Sequence, residues 1–308
     1  MTFQAVCEEA LVKVIPPLVV TDSILTSINV PETEYGTYSA GETYADKAFV
    51  ILDHVIYQNN SGSDQFGVYP PDNPLVWTHS GATNAWRMFD SKKSTVTQQV
   101  GTIEFEITPS AVSNSLALFG LSGATVMVTM TDPVAGLVYS NEVSLHSSAG
   151  VVGLYSWLYR DHGKKEVVIL TDLPPYRNAT TKVVIDAGTA TAACGMVSMG
   201  KAKDIGTLQY GFSLSIDDFS TIEQSDDGSL TVKKGNYVDE TDIDVKLDRS
   251  KFDTVKRFLT NYRGGTAAAY ICGTTHETMA IYGYYKSFSQ TVPHEGYAEV
   301  TLTIRSII

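Results

Sequence analysis

Between Thr102 and Ile107 apolar and polar residues alternate strictly: Ile103, Phe105 and Ile107 fall on one face, Thr102, Glu104 and Glu106 on the other. A period of two marks a half-buried antiparallel strand. Strand-like runs recur at 115–121, at 126–130 after the Ser122-Gly123 turn, and at 137–139, 153–159, 165–170 and 181–185. Turn residues separate them about every ten positions, Gly163-Lys164-Lys165 reading as one such turn, and no strong helical period intervenes. This pattern predicts a β-sandwich of jelly-roll type over residues 85–200.

The last third, 201–308, has a different pattern. Strands are expected at 208–216, where Tyr210, Phe212, Leu214 and Ile216 alternate, and at 229–233 and 241–247, with Ser225-Asp226-Asp227-Gly228 as a tight hairpin turn. One helix follows: Ser250 as N-cap, Phe252, Val255, Phe258, Leu259 and Tyr262 at helical spacing, and Gly264-Gly265 as the stop. A single apolar stripe predicts that it lies against a sheet, completed by strands at 267–272, 278–287 and 297–304.

At the front, residues 1–34 mix β-type and proline-containing text without a helical period and read as an extended arm. Residues 35–84 hold two short apolar runs, Phe49-Val50-Ile51 and Val55-Ile56-Tyr57, among many rings: Tyr35, Tyr38, Tyr44, Tyr69 and Trp77. So short a segment can build only a small sheet with an aromatic core, leaving some rings partly exposed. The fold class expected is thus mainly β: a small aromatic β module, a jelly-roll-like sandwich, and a sheet domain with one packed α-helix.

Charge is unevenly placed. Of the net −12, residues 1–84 carry ten acids against two bases, which disfavours nucleic acid and anionic lipid as partners of this end. The run 11–20 is broken by Lys13 and Pro16-Pro17, so neither a signal peptide nor a membrane insertion is expected, and synthesis in a cytoplasm is. Cys7, Cys194 and Cys272 form no C-x-x-C pair, and the six histidines never reach metal-ligand spacing, so no metal or other cofactor is predicted.

The candidate chemistry is correspondingly thin. Gly120-Leu121-Ser122-Gly123 is a turn, not a nucleophile elbow. Glu104 with Glu106 and Asp242 with Asp244 stand two apart on strand faces, about 7 Å at the backbone, a spacing compatible with glycoside cleavage, but both pairs alternate with apolar residues and read by default as the wet face of a half-buried strand. Tyr44, Tyr57, Tyr69 and Trp77 could stack on a sugar, with Asp72 and Asn73 taking its hydroxyls; alternatively Tyr44, Tyr57 and Trp77 are the module's own core.

Two resemblances follow. Tyr38, Gly41, Tyr44, Val50, Tyr57, Pro74 and Trp77 follow the order seen in small chitin-binding-type carbohydrate-binding modules, although Ala45-Asp46 replaces the usual Gly-Asp. The strings "TNAWRMFD" (83–90), "VVILTDLPPY" and "LQYGFSLSIDDFS" resemble a family of tailed-bacteriophage tail, baseplate or fibre-associated proteins. The second resemblance implies a non-enzymatic structural component of a virion tail, a homo-oligomer (ring or trimer) in contact with other tail proteins. Its alternatives are adhesion to host surface polysaccharide through the aromatic module and hydrolysis of an envelope glycan.

Overall fold

A computed structural model describes residues 11–92, 94–147, 155, 158, 163–224, 228–264, 267–273 and 279–307. Cys7, Asp161, His162, His276, most of the strand expected at 153–159 and the Ser225-Asp226-Asp227 turn lie outside the described residues. Among the described residues the protein is mainly β with one helix packed on a sheet; Tyr155 and Leu158, in the stretch expected as a strand, are helical.

The arm is divided between two sheets of its own chain. Strands β1 (Leu11–Ile15) and β2 (Leu25–Ile28) come from it. The small module holds β3 (Thr43–Tyr44), β4 (Phe49–Leu52), β5 (Val55–Asn59), β6 (Gln65–Phe66) and β7 (Trp77–Ala82). Its main sheet has the order β4-β5-β7, and β3 pairs with β6 beside it. The sandwich follows with β8 (Thr97–Ile107), β9 (Ser115–Phe119), β10 (Thr125–Asp132), β11 (Gly136–Ser144), β12 (His146–Ser147), β13 (Gly163–Lys164), β14 (Val167–Leu170), β15 (Thr180–Cys194) and β16 (Met196–Gly200). A five-stranded sheet, β11-β10-β15-β8-β2, faces a three-stranded one, β14-β9-β16. As the alternation predicts, Ile103, Phe105 and Ile107 point into the core between them. The turn expected at 163–165 is instead the short strand β13, paired with β12.

The remainder comprises β17 (Lys203–Leu208), β18 (Ser213–Asp218), β19 (Thr221–Gln224), β20 (Leu230–Lys233), β21 (Tyr237–Asp248), helix α1 (Phe252–Asn261), β22 (Ala268–Ile271), β23 (Ala280–Thr291) and β24 (Tyr297–Ser306). Six strands, β17-β1-β22-β23-β24-β21, are all antiparallel neighbours. Because β17 also pairs with β21, at Thr207↔Lys246 and Leu208↔Val245, the sheet closes into a barrel. Gly206 stands at that closure with φ +153°, where an added Cβ would lie 2.4 Å from the Lys246 carbonyl oxygen. Only glycine fits there. The single strand expected at 208–216 is therefore two: β17 ends at Leu208, and the chain bends through Gly211 (φ +105°) before β18.

The helix buries Val255 and Leu259 among the barrel's interior residues, beside Val12, Val245 and Val300. Tyr285 Oη donates to the Leu259 carbonyl (2.9 Å) and Gln290 Nε2 to the Phe252 carbonyl (3.2 Å), tying both ends of α1 to β23. Its entry differs from the expected Ser250 cap. Asp248 accepts from the Ser250 backbone N–H and caps a 3-10 turn, Arg249–Lys251, that leads into α1. That bond holds the Asp248 carboxyl below the usual carboxylate range.

A third hydrophobic layer joins sandwich to barrel. Alternation along β9 sends Leu116 and Leu118 into the sandwich core, and Ala117 and Phe119 against Ile15, Ala269, Ile271, Ala280 and Tyr282 of the barrel wall. Every residue of β9 is buried, because both of its faces are covered.

Candidate functional site

The residues expected to contact sugar lie in the small module, in two different settings. Trp77 begins β7 and is 2% exposed, its indole N–H donating to the Val68 carbonyl at 3.0 Å. It is a core ring. Tyr44 packs edge-on against it (5.7 Å) and stacks on Tyr38 (5.6 Å), while the Ser39 backbone N–H donates to Tyr44 Oη at 2.7 Å. Asn73 is spent on the local turn, its Nδ2 donating to the Tyr69 carbonyl. The core reading thus holds for Trp77, and Tyr44 leans on it.

Tyr69, Tyr57 and Asp72 are open to solvent to different degrees. Tyr69 is 43% exposed, Asp72 is exposed, and Tyr57 is half-buried with its ring edge-on to His79. Burial first, then the nearby Asp53 and Tyr69, push the Tyr57 phenol up. Phe66, which the sequence reading passed over, is 66% exposed. Asn59 is the module's hub: fully buried, its Nδ2 donates to the carbonyls of Tyr44, Ala45 and Ser63.

The carboxylate pairs face outward from their sheets. Lys182 Nζ donates to Glu104 and lies 3.6 Å from Glu106. The Thr303 and Thr301 hydroxyls donate to Asp242 (2.6 Å) and Asp244 (2.7 Å). Each pair is thus held by neighbours on its own sheet. Among the described residues no group of three or more His, Cys, Asp or Glu is placed to hold a metal ion. Burial pushes the Cys194 and Cys272 thiols up to about 12, so they are inert packing residues.

An uncovered apolar face lies elsewhere. Among the described residues strand β18 pairs only with β21, and the chain continues into the two-stranded hairpin β19-β20. All fourteen residues of β18, β19 and β20 are exposed. The register sets Ile222 opposite Val232 and Gln224 opposite Leu230, on one face of the hairpin, while Thr221, Glu223, Thr231 and Lys233 take the other. Ile222, Leu230 and Val232 are each 64–66% exposed, and Leu214 and Ile216 of β18 are exposed too. The hairpin is amphipathic, and its apolar face is uncovered. Its signal in the sequence was faint: three apolar residues at two-residue spacing around an Asp-Gly turn.

Beneath β18, a cleft of about 420 Å³ runs between hairpin stem and sandwich, lined by Phe119, Met196, Leu214, Ile216, Tyr237 and Tyr282 among others. Its lining is mainly apolar. No protein-family model matches the chain, and no curated protein matches it.

Proposed function

We propose that this chain is a non-enzymatic structural component of a bacteriophage tail, which self-associates and contacts other virion proteins. The observation that carries the reading is the uncovered hairpin. A two-stranded ribbon is marginally stable alone, and among the described residues β19-β20 has no third strand beside it. Its apolar face, Ile222, Leu230 and Val232, and the open edge of β18 offer both the hydrophobic surface and the unpaired backbone groups that assembly uses. The sequence resemblance of the 83–90 string supplies the context of a virion tail. Peptide mapping of purified tailed particles tests it. Several copies of the chain per particle are expected, and particles without it would overturn the proposal.

Adhesion to a host glycan is a second reading, favoured by the exposed rings Tyr69 and Phe66 beside Tyr57 and Asp72. Under it, a glycan array gives a signal that is lost in Tyr69→Ala. A blank array removes it.

A further inference from the structure

We infer that His54 is a proton-controlled latch that holds the small aromatic module against the rest of the chain. His54 sits at the tip of the β4-β5 hairpin, where Asp53 and His54 both adopt positive φ, +49° and +65°. Neither residue is a glycine, so the turn carries backbone strain that its surroundings must offset. What surrounds the ring is specific. Nδ1 lies 2.7 Å from Glu32 Oε1 and Nε2 lies 2.9 Å from Asp22 Oδ1, both carboxylates belonging to the segment between β2 and the module or just before β2. One ring face stacks on Trp86, at 4.2 Å and 23° between planes, and the His54 carbonyl accepts from the Thr83 N–H at 2.9 Å.

The protonation logic follows from these contacts. A carboxylate only accepts, so each ring nitrogen facing one must carry a hydrogen. A neutral imidazole has one N–H and can serve one carboxylate; the imidazolium serves both. Asp53 on its own turn and Asp90 from the segment after Trp86 line the same cleft with Asp22, and among the described residues lining it there is no Lys or Arg. Protonation therefore completes the latch, joining the module to the N-terminal segment on one side and to Trp86 on the other. Loss of the proton removes one of the two anchors and leaves a lone pair facing a carboxylate.

Backbone hydrogen exchange of the full chain, at about pH 5.5 and about pH 8 with each rate referred to its unstructured value, tests this. In the wild type, protection of the Thr83, Asn84 and Trp86 amides, which donate to the His54 carbonyl, the Glu34 carboxylate and the Thr83 carbonyl, is expected to fall about tenfold between the two conditions, the size of one lost hydrogen bond to a charged group, while barrel amides hold steady. His54→Asn tolerates positive φ and cannot carry the charge, so its protection is expected to be low and equal at both. Glu32→Gln, which leaves the ring in place, shrinks the acid-side excess. Equal wild-type protection at both conditions, or an undiminished fall in either variant, would overturn the latch.

Discussion

Strands β9 and β18 are written in similar residues, Ser-Leu-Ala-Leu-Phe against Ser-Leu-Ser-Ile-Asp-Asp, yet one is wholly buried and the other wholly exposed. Alternation alone does not separate them. The difference is what lies across each face: β9 has a sandwich core on one side and the barrel wall on the other, whereas β18 has a single strand neighbour and solvent. Hydrophobic residues that find no cover within their own chain are the ones left for a partner. The contrast also sorts the energetics, since a leucine contributes burial to stability in β9 and lies open in β18.

The strongest way to break this comparison is to empty β9. Phe119→Ala removes the ring that packs 6.0 Å from Tyr282 across the layer interface, and is expected to cost about 3–5 kcal/mol in denaturant unfolding. If sandwich and barrel then unfold in separate transitions, the third layer is what couples them. Next comes Gly206→Ala, which forces a Cβ toward the Lys246 carbonyl at the barrel's closure and is expected to cost about 1–3 kcal/mol.

A kinetic test sharpens the burial side. In a Cys7→Ser background, Cys194 and Cys272 should react with a thiol reagent only at the rate of unfolding. Both native thiols stay protonated to about 12, while an unfolded thiol ionises near its usual 9.0. Between those values the unfolded chain holds fewer protons, so stability is expected to fall as pH rises past 9.0, measured by denaturant midpoints. A flat profile there would contradict the burial of both residues. The smallest effect on stability belongs to the hairpin: at concentrations where the chain is a monomer, Ile222→Ser is expected to change unfolding by less than about 0.5 kcal/mol, because its side chain is 66% exposed.

Much of the architecture was legible where a residue's fate depends on its neighbours in sequence. The face of Ile103, Phe105 and Ile107 and the stripe of Val255 and Leu259 are local patterns, and both lead inward as expected. What was hidden depends on distant partners. Nothing in Leu11–Ile15 reveals that it fits between β17 and β22, some two hundred residues on, nor does Leu25–Ile28 announce β8. Ser250 looked like a cap because it precedes the helical stripe, but Asp248 two residues earlier accepts from the Ser250 backbone N–H and sets the entry. For the candidate sites, the aromatic spacing identified the module's rings without saying which were buried; Trp77 is, Tyr69 is not. His54 and the hairpin face were missed because each is defined by register and tertiary contact, not by a motif.

Under the proposed function, Ile222, Leu230 and Val232 are uncovered because another copy of the chain covers them. Sedimentation velocity of the wild type across a concentration series, beside Ile222→Asp combined with Val232→Asp, tests it most directly. The account predicts assembly in the wild type and a folded monomer in the double variant, with matching circular dichroism. A wild type that stays monomeric throughout, or a double variant that assembles equally well, would contradict it.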